Sequence, residues 1–263
     1  MKLFNNINYS AQTFKRNDEI DRFKLIRAFD DGRIHFVVDN YKSDFLKNIY
    51  QQNYPQKGIT IGITGESASG KSTITQMINN MAKDKNLDFT TVNCDNYFND
   101  TSWVYDKYGG YSEALQAGVD LEGPKGFQLE QMKHDLLELK QGKTVKIPDY
   151  NFTNGVSTPQ IHEVKPAKFI LLEGIASTYT DVNDIKIYVD CSDKIKESRA
   201  LARAKQRGQT IEQAKKMFNI VKKAAIKNII PQKEEADLVL NGEASLNKIS
   251  KFLEDLCKVI FKK

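Results

Sequence analysis

The sequence predicts an α/β fold, a parallel sheet flanked by helices on both faces. Three observations carry this. From Gly58 onward, short apolar runs alternate with longer stretches of helical period, the pattern that strand–helix–strand units produce. The first run, Ile59–Thr64, leads into Gly65-Glu66-Ser67-Ala68-Ser69-Gly70-Lys71-Ser72, which spells G-x-x-x-x-G-K-S. The residues that follow place Ile74, Met77, Ile78 and Met81 at i, i+3, i+4 and i+7, one face of a helix. Strand, glycine-rich loop and helix in that order are what a phosphate-binding (P-) loop requires, so the expected fold is that of a P-loop NTPase.

The strands are expected at Ile59–Thr64, Phe89–Cys94, Phe169–Glu173, Ile185–Val189 and Leu238–Leu240, each a short apolar run between turn-forming residues. Helices are expected at Lys71–Lys83, Phe127–Gln141, Lys194–Gln206, Thr210–Ile230 and Ala244–Phe261. The last carries Leu246, Ile249, Leu253, Leu256 and Ile260 along one face. Residues 57–263 form the expected P-loop domain, with a hairpin or lid insertion over about 99–166. Within it, 99–119 is rich in Tyr, Gly and Asp and has no clean period; its length marks it as functional or mobile rather than a plain connection. Residues 1–56 read as an N-terminal appendage with helix-like stretches at Asp18–Phe29 and Ser43–Gln51 and a strand at Arg33–Val38. Pro55-Gln56-Lys57-Gly58 then makes a turn or linker. The appendage carries no motif; structural support and a homo-oligomer contact are its two readings.

Composition narrows the function classes. The 263 residues include 40% hydrophobic ones, enough for a sizeable core. The net charge of +5 comes from 39 basic and 34 acidic residues spread along the chain, which argues against a nucleic-acid partner. Cys94, Cys191 and Cys257 are far apart, which fits a reducing compartment and neither a disulfide frame nor a zinc site. No apolar run is long enough to span a membrane, and Met1–Ser10 is polar, so the expected address is cytoplasmic.

The chemistry gathers at the strand ends. The loop glycines let backbone N–H groups turn towards phosphates, and the helix N-terminus adds partial positive charge. Lys71 is placed to reach the β- and γ-phosphates and the Ser72 hydroxyl to ligate Mg²⁺. Ligands of open α/β sheets sit outside the carboxyl ends of the strands, so Asp95, after the second strand, falls beside the phosphates. There it can take a proton from an attacking hydroxyl or hold Mg²⁺; the plainer alternative is a turn cap. Phe169-Ile170-Leu171-Leu172-Glu173 is an apolar run ending in an acid, a Walker-B arrangement with Glu for the more usual Asp; a carboxylate that merely faces solvent is the alternative. Arg199, Arg203 and Arg207 follow one another at intervals of four, one helix face of guanidiniums suited to a transferring phosphoryl group. A solvated basic face is the alternative.

Between the strands the chain resembles the uridine kinase/phosphoribulokinase family of P-loop kinases, from about Gly58 to the C-terminus. The residues that carry the resemblance are Gly65 through Thr73, Asp95-Asn96-Tyr97-Phe98, Glu122-Gly123-Pro124, Gly142 through Phe152, Glu173-Gly174-Ile175, Val189-Asp190 with the arginine helix to Arg207-Gly208, and Ala236-Asp237. It implies that Gly65, Ser67, Ala68, Ser69, Gly70, Lys71, Ser72, Thr73 and Arg207 bind ATP. It implies Asp95 as general base, with Lys71, Arg199 and Arg203 beside the reacting phosphoryl group. Ser72, Glu173 and Asp95 serve Mg²⁺. Glu122 holds ribose hydroxyls, and Tyr97, Phe98, Tyr150 and Phe152 surround the acceptor.

The chain departs from that pattern in places. Where uridine kinases place His-Ser-Arg after the Tyr-x-Phe, this chain has Gly155-Val156-Ser157. Glu122 replaces the family's Asp, and 99–119 is an unusual insertion. Three readings follow: a kinase for uridine or cytidine, a kinase for another small acceptor such as a sugar phosphate or pantothenate, and a nucleotide-binding regulator without turnover.

Overall fold

The structure, a computed structural model, describes residues 24–28, 34–37, 58–206, 208–250 and 253. The first two segments are strands β1 (Lys24–Ala28) and β2 (Ile34–Val37), an antiparallel pair with Lys24 opposite Val37 and Ala28 opposite Ile34. A helix was the expectation for Asp18–Phe29, and over Lys24–Ala28 it is corrected. Ladder pairing with a neighbouring strand, a non-local interaction, overrides the local helical period there. Asp31-Gly32 between the runs is itself a favoured hairpin sequence. The helix-like stretch Ser43–Gln51 lies outside the described residues.

The main body is a five-stranded parallel sheet built from β3 (Ile59–Thr64), β4 (Phe89–Asn93), β7 (Phe169–Glu173), β8 (Ile185–Asp190) and β9 (Leu238–Asn241), in the order β4-β7-β3-β8-β9. Its inner strands β7, β3 and β8 are mostly buried because both faces are covered, whereas the edge strand β4 is Phe-Thr-Thr-Val-Asn with only Val92 buried. The pleat sends alternate residues to opposite faces, and β7 makes this explicit. Phe169 and Leu171 join one core with Ile59, Ile61 and Ile63 of β3 and Ile74, Ile78 and Met81 of helix α1 (Lys71–Asp84). Ile170 and Leu172 join a second core with Val92 and the Met132, Leu136 and Leu139 row of helix α4 (Leu129–Lys140). At the C-terminal end, 246–250 are helical; Ile249 and Leu253 are buried against the first core, whereas Leu246 is exposed. Leu256 and Ile260 lie outside the described residues.

Between β4 and β7 the chain builds α2 (Ser102–Tyr108), α3 (Tyr111–Gln116), α4 and an antiparallel hairpin of β5 (Val145–Asn151) and β6 (Val156–Val164). The aperiodic segment 99–119 is therefore mostly helical. Each of its helices is under two full turns, too short for a 3.6-residue period to register, and Gly109 in the left-handed region (φ 82°) breaks them apart. After β8 come α5 (Asp193–Gln206) and α6 (Ile211–Asn228), the latter opened by a capping box between Thr210 and Gln213.

One buried ion pair ties the base of this assembly. Asp184, just before β8, accepts from Lys140 Nζ at 2.6 Å, from the Thr60 backbone N–H at 2.8 Å and from Thr60 Oγ1 at 2.9 Å. The Asp184 and Lys140 side chains are 11% and 12% exposed. Removing one member of such a pair strands the other charge, which costs about 3–5 kcal/mol. Asp184→Ala is expected to lose that much in a denaturant titration, with the site at the opposite strand ends unchanged in ligand affinity well below the melting transition.

Candidate active site

The carboxyl ends of β3, β7 and β4 lie side by side. Ile63 pairs with Glu173, and Glu173 with Asn93, so the turns that follow these strands start at one level. They open onto a cavity of about 570 Å³, within the range of small-molecule sites. Ser72 and Glu173, which sequence places a hundred residues apart, meet here: the Ser72 hydroxyl donates to Glu173 Oε1 at 3.2 Å.

The loop after β3 is wound tightly. Gly65 (φ 142°) has no room for a side chain; a Cβ there would lie 2.5 Å from the Val189 carbonyl oxygen. Ala68 takes a positive φ of 63° without being glycine, a strained conformation that persists only where its surroundings impose it. The Lys71 ammonium donates to the carbonyls of Gly65 (2.8 Å) and Glu66 (2.9 Å). Burial pulls its pKa down, against the nearby charges of Glu173 and Asp95, which push it up. Glu66, Ser67, Ala68, Gly70, Lys71 and Ser72 line the cavity. Ser69 is buried behind it, and Thr73 is exposed on the first turn of α1.

Two expected placements change. Arg199 was expected over the phosphates. Its guanidinium instead donates to the carbonyls of Ala68 (3.3 Å), Ser69 (3.0 Å) and Gly242 (2.7 Å), clamping the loop to the turn after β9. A planar fork of donors suits that bridging of backbone acceptors. Arg203, a turn further along α5, does line the cavity; Arg207 lies outside the described residues. Tyr97 was expected beside the acceptor. It is buried in the second core, with its hydroxyl donating to Asp135 Oδ2 of α4 at 2.9 Å. The 3₁₀ turn Cys94–Tyr97 sends Tyr97 inward and leaves Phe98 to face the cavity.

Asp95 sits in that turn, its backbone N–H capped by Asn93 Oδ1 at 2.9 Å. Burial, reinforced by the charge of Glu173 and opposed by Lys71, raises its carboxyl to about 6. Glu122 is pinned from below by the Tyr179 hydroxyl, which is shared between the carbonyls of Glu122 (3.0 Å) and Asn228 (3.2 Å). Burial lifts the Glu122 carboxyl to about 7, with Lys71 pulling the other way and Asp95 adding to the rise.

Phe98, Tyr150 and Phe152 form an aromatic group, with Tyr150 and Phe152 edge-on at 5.1 Å and Phe98 5.3 Å from Tyr150. Sequence reasoning missed the residues packed beside it. Thr101, Tyr105 and Tyr111 of the α2–α3 segment line the same end of the cavity. Thr101 Oγ1 bonds the Tyr150 hydroxyl at 2.7 Å, and Tyr105 donates to the Phe152 carbonyl at 3.0 Å. Gly155 explains how the segment gets so close. Its φ is 72°, and a Cβ would meet Thr101 Oγ1 at 2.5 Å. The Thr101 backbone donates to the Gly155 carbonyl at 2.7 Å. Also unforeseen are Gln209 and the α6 face of Met217, Phe218, Val221 and Lys222, which line the cavity too. Only the aromatic richness of 99–119 signalled any of this.

A parallel sheet with this loop, a strand-end acid beside the loop serine and a second acid after β4 defines a P-loop phosphotransferase. The sequence model of the Phosphoribulokinase / Uridine kinase family matches residues 60–249. A uridine kinase of Staphylococcus epidermidis is 32% identical over 199 residues, covering 72% of this chain and 90% of that one. A uridine kinase of Clostridium novyi is also 32% identical over 199 residues, covering 73% and 90%. Among solved structures, a Silicibacter sp. TM1040 protein that carries the name of a fructose transport system kinase superposes with a TM-score of 0.54 at 18% identity, over 74% of this chain and 95% of that one. The last similarity concerns the fold alone. The chain belongs to the phosphoribulokinase/uridine kinase family, and is a phosphotransferase with a hydroxyl acceptor.

The raised carboxyls have a consequence for stability. Folded Glu122 keeps its proton to higher pH than the unfolded chain does, so its contribution to stability is present below about 4.5 and is lost as pH rises through about 7. Glu122→Gln removes that loss. The ligand-free variant is expected to be more stable than wild type at pH 8, by up to about 3 kcal/mol, and to gain nothing at pH 4, as read by chemical denaturation at both values.

Proposed function

We propose that the chain transfers the γ-phosphate of ATP, with Mg²⁺, to a hydroxyl of a neutral sugar-bearing acceptor, a pyrimidine nucleoside such as uridine or cytidine. The observation that carries this reading is the division of charge in the cavity. Its cations are Lys71 on the loop, Lys196 and Arg203 on α5 and Lys222 on α6. Lys196 is paired with Glu66 of the loop and with Asp193, which also takes Lys222, so the phosphate end holds these cations together with the acids Glu66 and Glu173, and Lys71 and Arg203 are the ones turned to the phosphates. The other end has Asp95, Glu122, Phe98, Thr101, Tyr105, Tyr111, Tyr150 and Phe152. Carboxylates, hydroxyls and aromatic faces suit ribose and a flat base. They disfavour a sugar phosphate or pantothenate, whose negative charge would meet acids without a partner. The names of the bacterial relatives point the same way.

In this reading Asp95 accepts the proton of the attacking hydroxyl. A carboxyl raised to about 6 is a better base than an ordinary one and is still ionised at neutral pH. Glu122 orients the sugar hydroxyls. Lys71 and Arg203 offset charge on the phosphoryl group in flight. Mg²⁺ is usually bound by one or two protein oxygens along with phosphates and water; the adjoining oxygens of Ser72 and Glu173 fit that need. When bound, the metal supplies charge neutralisation at the phosphates.

A coupled assay of ADP release tests the reading. Asp95→Asn is expected to lower kcat by about 10²–10⁴-fold with ATP affinity near that of wild type. The wild-type rate should fall about tenfold per unit below pH 6 as Asp95 takes its proton. Uridine and cytidine should turn over with kcat/KM values within about a hundredfold of each other, because Gly155 has no side chain to read a base edge. Ribulose 5-phosphate and pantothenate should be poor acceptors. A preference for either anion would overturn the assignment.

A further inference from the structure

Glu66 puts a carboxylate inside the phosphate loop, where it opposes any triphosphate. Its side chain is 10% exposed and lies at the cavity wall. Lys196, on the first turns of α5, is 4% exposed and donates from Nζ to Glu66 Oε2. The same ammonium lies 2.8 Å from Asp193 Oδ1, and Asp193 Oδ2 lies 2.6 Å from Lys222 Nζ on α6. Alternating charges thus run from the loop through α5 to α6. The loop carbonyls are tied off separately: Lys71 takes those of Gly65 and Glu66, and Arg199 takes those of Ala68 and Ser69. Lys196 alone of these cations meets the loop's acid.

We propose that Lys196 is a positioning residue for the phosphate site that acts through Glu66, neutralising the loop's own carboxylate so that the loop accepts a triphosphate. The proposal rests on the phosphate-loop reading above. It assigns Lys196 a part distinct from Lys71 and Arg203, since its partner is the loop acid and not the nucleotide. A bare carboxylate a few ångströms from the phosphates, in a partly screened site, would weaken nucleotide binding by about a hundredfold.

The test is a double-mutant cycle on the full chain, read as the Kd for Mg²⁺-ATP by calorimetry and as kcat and KM in the ADP-release assay. Lys196→Met is expected to raise Kd and KM for ATP about a hundredfold while kcat at saturating ATP changes less than tenfold. Glu66→Ala is expected to bind ATP at least as tightly as wild type. The double variant Glu66→Ala/Lys196→Met should match Glu66→Ala within about fivefold, because nothing is left for Lys196 to neutralise. Lys196→Arg, which keeps the charge, should restore binding. If Lys196→Met does not fold, the more polar Lys196→Gln takes its place in both the single and the double variant. A double variant about a hundredfold weaker than Glu66→Ala would overturn the proposal, since Lys196 would then act on the nucleotide directly. So would a folded Lys196→Met that binds ATP like wild type. Failure of the wild-type chain to bind Mg²⁺-ATP would instead overturn the phosphate-loop reading.

Discussion

The structure depends on holding one short loop by its carbonyl oxygens. In a trans peptide the carbonyl of one residue and the N–H of the next point in opposite directions. Arg199, by gripping the Ser69 carbonyl, turns the Gly70 N–H away from the guanidinium. Lys71, by gripping Gly65 and Glu66, does the same for the N–H groups of Glu66 and Ser67. The strained φ of Ala68 persists inside this frame. The sheet order places β3 between β7 and β8. One neighbour brings Glu173 to the loop serine, and the other leads into α5, which carries Arg199 and Lys196.

Burial sets the chemistry of the cavity as much as residue type does. Asp95 and Glu122 are carboxyls whose charged forms are disfavoured by lost hydration, and Lys71 is an ammonium penalised for the same reason. Their mutual attraction opposes each penalty without cancelling it. Poised acids of this kind reduce the stability of the folded chain, a common feature of functional sites. The Lys140–Asp184 pair, at the other end of the strands, is also largely buried, but Thr60 donates to its carboxylate and neither residue lines the cavity of the site. That contrast separates an ionic cluster that holds the fold from one that is placed to act.

The acceptor end is built from a packing exchange. Without a side chain at Gly155, the start of α2 lies directly on the hairpin turn, and Thr101 locks to Tyr150. The room that a larger residue would fill is taken by helices that carry Tyr105 and Tyr111 to the cavity. Beneath them, Tyr97 and Asp135 fasten the turn of Asp95 to α4, so the proposed base is held by the core and not by the mobile ends of side chains.

Local signals in the sequence determined the class of fold and much of the site. The periods of the strands and helices, the G-x-x-x-x-G-K-S loop and the acids at two strand ends depend on neighbours in the chain, so they could be read without coordinates. Asp95, Glu122, Phe98, Tyr150, Phe152 and Glu173 do lie around the cavity. What only the tertiary structure decided depends on distant partners. Whether an arginine faces a ligand or a carbonyl is set by the turn after β9, which brings Gly242 to Arg199. Which of two adjacent aromatics points inward is set by Asp135, which offers Tyr97 a buried acceptor. The pairing of Glu66 with Lys196 spans 130 residues, and no local pattern reports it. Helical period misread Lys24–Ala28 because a paired strand satisfies backbone groups that a helix would otherwise satisfy itself.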